Sequence, residues 1–381
     1  MEPIELTPDA VGPVARGHPW VWRDGVARGF APVGSPVRLV DGRGRPVAWG
    51  LADRGEIAVR VLGRDPESVP DLLTRRLAEA QALRDRVLPP ATDAFRVCNG
   101  EGDHLPGLVV DRYGALAVVR LYAAAWEPHL DAVVSAVAAL GGIEAVLRRL
   151  GVGTVDADGG AVPLHGPPPP DAIVVHEAGL RFLVRPWRGQ KTGLFLDQRE
   201  NRIRMAGWAR GAEVVNLFGY NGGFSVHAAA GGARRTVTVD VASEALSDAR
   251  ENFRLNGLDD AGHGFEVADA FRWRPPRPVD LVICDPPSLS HGARSDGPAR
   301  AAYRDLAAHA AAMTAPGGLL FTASCTARIR EDRWMEAVRK GIGRVPGRWS
   351  VVHRAFEPPD HPVSVAHPEG AYLKAVALRR R

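Results

Sequence analysis

The alternation of apolar and polar positions divides the chain into stretches with different periods. Up to residue 65 the apolar runs are short: Val37–Val40, Pro46–Leu51 and Ile57–Val61, separated by Asp41-Gly42-Arg43-Gly44 and Asp53-Arg54-Gly55. Short runs punctuated by turn formers predict a small β domain. Leu72, Leu73, Leu77, Ala80 and Leu83 then recur at helical spacing, with arginines opposite, and predict a helix over Asp71–Val87. Between 94 and 186 the pattern predicts strands at Phe95–Cys98, Leu108–Asp111, Leu116–Leu121 and Glu144–Leu147, and a helix near Pro128–Leu140. A hairpin follows, with Ala172–His176 and Arg181–Pro186 flanking Glu177-Ala178-Gly179. Strands and helices in blocks point to an α+β domain.

From 187 onward strands and helices alternate, the signature of a doubly wound α/β fold. Strands are expected at Val214–Phe218, Thr236–Val241, Phe265–Ala268, Leu281–Cys284 and Leu319–Ser324. Helices are expected from Ser243 to Asn256-Gly257 and over Ala299–Met313, before a break at Pro316-Gly317-Gly318. No helix separates the runs Ser350–Phe356 and Tyr372–Leu378, so these should pair antiparallel at a sheet edge. The expected fold is therefore α/β: a mainly parallel seven-stranded sheet over 188–381, preceded by a small β domain over 1–70 and an α+β domain over 71–187.

Composition narrows the class. Of 381 residues 45% are hydrophobic and 24% charged, and no apolar run approaches the length of a membrane span. The acidic, proline-bearing start MEPIELTPDAVG is unlike a secretory signal. Cys98, Cys284 and Cys325 are odd in number and far apart, which argues against a disulfide framework or a zinc site. A cytoplasmic protein that does not enter membranes is expected. The net charge is +4, with lysine only at 191, 340 and 374, so the cations are nearly all arginine. Guanidinium forks suit phosphate and base edges, and this charge balance is compatible with RNA. Trp20 and Trp22, beside Arg16 and Arg23, either stack on RNA bases or fill the small domain's core.

The stretch with most chemical content is Glu213–Asp240. A buried-type strand breaks into a turn holding Gly219, Gly222 and Gly223, followed by an alanine-rich helix and a second strand ending on Asp240. Glycines let backbone approach a ligand, a helix N-terminus offers unpaired N–H groups, and an acid some 20 residues on can hold ribose hydroxyls. Such a unit takes a nucleoside-containing cofactor, either a dinucleotide or S-adenosylmethionine. Ligands in open α/β sheets sit at the carboxyl ends of the strands, where Asn216, Phe218, Asp240, Val241, Asp269, Ala270, Asp285 and Cys325 fall. Asp269 is placed to accept from an adenine amino group, or else caps a turn. The rigid Asp285-Pro286-Pro287-Ser288 turn and the G-x-x-G-G spacing favour the methyl donor over a dinucleotide.

Cys325 ends the fifth strand in Ser324-Cys325-Thr326. An ordinary thiol near pKa 8.5 is a few per cent thiolate at neutral pH, yet intrinsically nucleophilic. Pyrimidine C5 is a poor nucleophile until a thiolate adds at C6, and a carboxyl group near N3 assists by supplying a proton. Asp285 is placed for that. The alternatives are a methyltransferase of the same fold acting on another base or a small molecule, with Cys325 structural, or an RNA-binding scaffold.

These residues together resemble the RlmI-like family of bacterial SAM-dependent 23S rRNA cytosine-5 methyltransferases. The likeness covers nearly the whole chain: Gly17-His18-Pro19-Trp20, Glu101 to Leu108, Gly189-Gln190-Lys191-Thr192-Gly193 through Leu196-Asp197-Gln198-Arg199, Gly222-Gly223-Phe224-Ser225, Asp285-Pro286-Pro287-Ser288, Ser324-Cys325 and Asp360-His361-Pro362-Val363. The resemblance implies an N-terminal PUA domain that binds RNA, a central α+β domain and a Rossmann-like methyltransferase domain. It also implies that Phe195, Asp197, Gln198 and Arg199 border the methionine end of S-adenosylmethionine, with 23S rRNA as partner. Edge strands in the small domains leave a homodimer open. The chain departs from the family at Asn216 (usually Asp), Gly219 (usually Cys), Asn221 (usually Thr), Leu289 (usually aromatic) and Thr326-Ala327-Arg328.

Overall fold

The computed structural model describes residues 1–150, 160–188, 193–258, 262–289 and 296–381. The chain divides into two compact units. One comprises Met1–His176, Val184–Leu196 and Pro359–Gly370, and the other Glu177–Leu183, Asp197–Pro358 and Ala371–Arg381.

In the first unit, six strands form a mixed sheet in the order Trp20–Trp22, Ile57–Gly63, Pro46–Ala52, Pro36–Val40, Glu2–Leu6, Val26–Arg28. Its core is Ile4, Leu6, Val37, Leu39 and Val59. A short helix, Pro8–Ala15, was not foreseen, because two prolines obscure it. Pro8 at the first position costs no hydrogen bond, whereas Pro13 lies inside the helix. A second sheet has five strands in the order Ala161–His165, Ala145–Arg149, Leu116–Leu121, Leu108–Tyr113, Ala94–Asn99. Helix Val69–Val87, capped by Ser68 Oγ accepting from Asp71 N–H at 3.2 Å, packs Leu72, Leu73 and Leu77 into a core with Val97 and Trp126. Arg84 on this helix is fully buried. Its guanidinium grips Asp103 at 2.6 and 2.7 Å and donates to the Asp360 carbonyl at 2.7 Å. The Pro359–Gly370 segment thus belongs to the first unit by buried hydrogen bonds, although 188–381 reads as one domain along the chain.

The second unit is built on a seven-stranded sheet in the order His263–Val267, Arg235–Asp240, Glu213–Leu217, Val279–Cys284, Thr314–Ser324, Lys374–Arg380, Trp349–Ala355. The first five of these pair parallel and the last two antiparallel. The central strands read as continuous apolar runs because both faces are covered. Val215, Leu217 and Val282 pack with Tyr303, Leu306 and Trp334 on one face. Val214, Leu281 and Ile283 pack with Met205, Phe224 and Ala228 on the other. Two details correct the sequence reading. The Thr314–Ser324 strand runs straight through Pro316-Gly317-Gly318, which sits in a register shift opposite Val279–Leu281, with Gly317 at φ +84°. A further helix, Glu331–Ile342, buries Trp334, Val338 and Ile342 at every fourth position.

Candidate active site

Strand Glu213–Leu217 ends in a turn that turns sharply over the sheet edge. Phe218 and Tyr220 take left-handed backbone conformations, and Gly222 (φ +78°) precedes helix Gly223–Ala230. A Cβ on Gly219 would stand 2.4 Å from Thr238 Cγ2, and one on Gly222 2.9 Å from Ala249 Cβ, so close packing calls for glycine at both positions and conformation calls for it at Gly222 as well. Under the turn lies a buried polar group. Ser225 Oγ accepts from Asn216 Nδ2 at 3.0 Å and from Thr238 Oγ1 at 2.7 Å. Asn216 Oδ1 is buried with no partner among the described residues. Asp240 ends the neighbouring strand and spans two backbone segments, accepting from Tyr220 N–H and Ala242 N–H, each at 2.9 Å. Each carboxylate oxygen keeps a second lone pair for a hydroxyl.

The next strand end carries Asp269. Its side chain accepts from Phe271 N–H at 2.9 Å and lies 3.6 Å from Arg272, so it caps its own turn while staying half exposed. Ala270 is buried in the core. Val241 is 70% exposed, and Phe271, also exposed, packs edge-to-face on Phe218 at 5.3 Å. Apolar side chains left open at a strand edge offer a surface for a flat aromatic ligand.

The Asp197–Arg199 segment enters helix Arg199–Trp208 and is buried. Tyr372 Oη donates to Asp197 Oδ2 at 2.8 Å, and Gln198 Oε1 accepts from Asn201 Nδ2 at 2.6 Å. Phe195 is half-buried in the first unit, and Gly189-Gln190-Lys191-Thr192 falls outside the described residues. The helix also brings Arg202 to Glu177, which is fully buried and accepts from Arg202 Nε at 2.7 Å and pairs with His227 Nε2 at 2.9 Å. Burial opposes the charge on Glu177, but Arg202 and His227 outweigh it and hold the carboxyl down at about 2. His227 is on the helix that follows the glycine turn, so this ion cluster fixes that helix.

The fourth and fifth strands are parallel neighbours, with Cys284 opposite Thr322, so Asp285 and Cys325 leave the sheet on one edge. Tyr303, on helix Gly297–Met313, ties the two ends together. Its hydroxyl accepts from Ser324 Oγ at 2.9 Å, and burial, reinforced by the negative charges of Cys325 and Asp285, pushes it up to about 12. Lys374 is directly across from Ser324 on the antiparallel strand. Its buried ammonium donates to the Thr326 carbonyl, and to the Tyr372 carbonyl at 3.3 Å. Burial lowers the pKa of Lys374, while Cys325 is the largest charge acting to raise it. Cys325 is half-buried, whereas Cys98 and Cys284 are wholly buried with thiols driven up by burial. The sequence reading missed Tyr303, Tyr372, Lys374 and Glu177. Lys374 alone had a local signal, as one of three lysines and the interruption of an apolar run.

Comparison with known proteins agrees with this architecture. The S-adenosylmethionine-dependent methyltransferase family matches residues 135–379, and a PUA-like domain matches residues 4–64. The chain is 40% identical to the ribosomal RNA large subunit methyltransferase of Deinococcus radiodurans, over 95% of this chain and 93% of that protein. It is 34% identical to ribosomal RNA large subunit methyltransferase I of Cronobacter sakazakii, over 95% of each. The crystal structure of SMU.776 complexed with SAH superposes over the whole of both chains with a TM-score of 0.87 at 22% identity, a likeness of fold. No helix among the described residues is long and apolar enough to cross a membrane. The chain belongs to the S-adenosylmethionine-dependent methyltransferases, carries a PUA-like domain at its N-terminal end, and is an enzyme that uses S-adenosylmethionine.

Proposed function

We propose that the enzyme methylates C5 of a cytosine in large-subunit ribosomal RNA through a covalent adduct with Cys325. The observation that carries this reading is the convergence of Cys325, Asp285, Tyr303 and Lys374 at the ends of two adjacent strands. The names of the relatives support ribosomal RNA as the substrate.

The glycine-turn half of the edge suits the cofactor. Asn216 Oδ1, an orphaned buried acceptor, fits a donor such as an ammonium group. Asp240 would hold ribose hydroxyls, Asp269 and the backbone at Ala270 the adenine edge, and Phe218, Val241 and Gly219–Gly222 the faces. Phe195, Asp197, Gln198 and Arg199 would border the methionine end. When bound, S-adenosylmethionine supplies an electrophilic methyl group.

The chain's own residues do the rest. The ammonium of Lys374 favours the thiolate of Cys325, which adds to C6 of the base while Asp285 gives a proton to N3. C5 becomes enamine-like and nucleophilic. With a methyl group on C5, release of the C5 proton to solvent water would expel the thiolate from C6, N3 would return its proton to Asp285, and the aromatic ring would be restored. Tyr303 stays protonated at neutral pH and holds the two loops in register. Mass spectrometry of nucleosides from large-subunit RNA of a deletion strain should show a missing 5-methylcytidine, restored by the wild-type gene and not by Cys325→Ala. Transfer to RNA by Cys325→Ala at the wild-type rate would rule out the covalent route.

A further inference from the structure

The Pro359–Gly370 segment returns to the first unit and is fastened unevenly along its length. Hydrogen bonds to neighbouring elements hold its first part. Arg84 donates to the Asp360 carbonyl at 2.7 Å, Arg96 N–H to the Asp360 carboxylate at 3.1 Å, and Asn99 Nδ2 to the Pro362 carbonyl at 3.0 Å. From Val363 to Gly370 the hydrogen bonds among the described residues are internal: His367 N–H donates to the Ser364 carbonyl, and Gly370 N–H to the His367 carbonyl. This second part lacks the polar anchors of the first, yet it carries a buried histidine.

His367 is only 2% exposed. Its ring packs on Trp20, with centroids 4.2 Å apart, and edge-on to His18 at 5.5 Å. Neither Nδ1 nor Nε2 has a hydrogen-bond partner among the described residues, so both polar atoms of a buried ring go unanswered. Two further ligating side chains of the same unit stand beside it. His18, His367 and Glu369 each offer one ligand atom, and these atoms all lie within 4.8 Å of one another. His18 is already oriented, because its Nδ1 is 3.0 Å from the Trp20 carbonyl oxygen. An Nδ1–H donating there leaves Nε2 as the lone-pair nitrogen. Metal-bound imidazoles are commonly held in this way, by a hydrogen bond from the other ring nitrogen to a carbonyl. Glu369 is exposed, and among the described residues no ion pair or hydrogen bond holds its carboxylate elsewhere. Glu101, by contrast, is committed to Trp20 Nε1 at 2.8 Å and lies 3.6 Å from Arg60.

We infer that His18, His367 and Glu369 form a zinc site that clips the returning segment to the small β domain. Two imidazoles and a carboxylate are a donor set that zinc takes at about 2.0–2.2 Å, with a water completing four-coordination. Ligand atoms in a tetrahedron of that size stand about 3.3 Å apart, so binding draws the three together, chiefly by rotation of the exposed Glu369. The scattered cysteines that argue against a thiolate site leave a histidine–carboxylate one open. His18 and His367 lie near opposite ends of the chain, so the clip closes a long loop, where a cross-link restrains the unfolded chain most. The clip is independent of the reaction proposed above and goes beyond it.

The test is calorimetric titration of the tag-free, metal-stripped full chain with zinc chloride, with bound metal counted by atomic absorption. One equivalent should bind with micromolar or tighter Kd and raise the unfolding midpoint. Glu369→Gln, at an exposed position, should weaken binding at least about tenfold. His18→Gln/Glu369→Gln should abolish the saturable equivalent, with an unfolding midpoint in the absence of zinc near that of wild type. Cobalt(II) in place of zinc should give the visible absorption of a four-coordinate site in the wild type and not in the double variant. No saturable zinc binding by the wild-type chain, or equal binding by the double variant, would overturn the site. Saturable binding that leaves the midpoint unchanged would overturn the clip, since zinc would then favour the folded chain no more than the unfolded one.

Discussion

Two halves of one sheet edge hold their polar groups in opposite ways. Around the ends of strands Glu213–Leu217 and Arg235–Asp240, Asn216, Thr238, Asp240 and Ser225 of the intervening helix are locked to one another or to backbone, and that helix is pinned by the buried Glu177–Arg202–His227 cluster. At the ends of the fourth and fifth strands, Asp285 and Cys325 are half-buried, and the groups around them are shifted by mutual charge and burial. The first half is shaped to bind without changing state. In the proposed function, the second changes protonation and forms a bond. Variants in the first half should therefore disturb stability and cofactor affinity, and variants in the second half reactivity alone.

The largest effect expected is on the reactive side. Cys325→Ala should lower turnover by at least about 10³-fold, with S-adenosylmethionine affinity by calorimetry and the unfolding midpoint both near wild type. Cys284→Ala, one strand away and wholly buried, should keep turnover within a few-fold and lose stability instead. If Cys284→Ala abolished methylation and Cys325→Ala did not, the division between the halves would be wrong.

Glu177→Gln tests the rigid half. Removing one partner from a buried ion cluster leaves Arg202 uncompensated, at a cost of about 3–5 kcal/mol in urea unfolding, with no effect on the thiol reactivity of Cys325. The pH dependence has a definite sign. The folded carboxyl is held at about 2, below its ordinary 4.5, so its stabilisation is complete above pH 4.5 and is lost as pH falls through about 2. In the wild type this adds to the acid slope of stability across that window, and the Gln variant should lack that share. Equal slopes would mean that the cluster does not hold Glu177 ionised.

Gly219→Ala should do less, because the clash is with one methyl group. The new Cβ meets Thr238 Cγ2 at 2.4 Å, which predicts an overpacking cost of about 1–3 kcal/mol and a weaker cofactor complex. Thr238→Ser removes that methyl group and should restore much of the affinity in the double variant. Failure of the rescue would place the constraint on Asn216 Nδ2, which stands 3.0 Å from the same position.

How much of this the sequence disclosed depends on how local each feature is. The glycine turn, the Asp-Pro-Pro turn and Cys325 were legible because each is an unusual residue directly after an apolar run. Asp240 was legible by its distance from the turn. Tyr303 was not, since a tyrosine at a core-facing position of an alanine-rich helix is an ordinary packing residue, and only the register of Ser324 brings them together. Glu177 lies in a hairpin far in sequence from Arg202 and His227, and nothing local marks it as the buried member of an ion cluster. The Pro359–Gly370 segment belongs to the first unit through Arg84 and Arg96, partners more than 260 residues away along the chain.

Lys374 makes the smallest predicted change and the sharpest test of the comparison, because it is buried like a residue of the rigid half and yet faces the reactive one. Its ammonium is held by two carbonyl groups, and a structural role would be satisfied by any group that filled the space. An electrostatic role would not. Lys374→Met preserves the bulk and removes the charge, so iodoacetamide labelling of Cys325 at neutral pH should slow by about tenfold. Labelling at strongly alkaline pH, where the thiol is ionised regardless, should be unchanged. Turnover should fall with little change in KM, and Lys374→Arg should recover part of both losses. Labelling that slows equally at every pH would show that Lys374 shapes access to the thiol and does not set its ionisation.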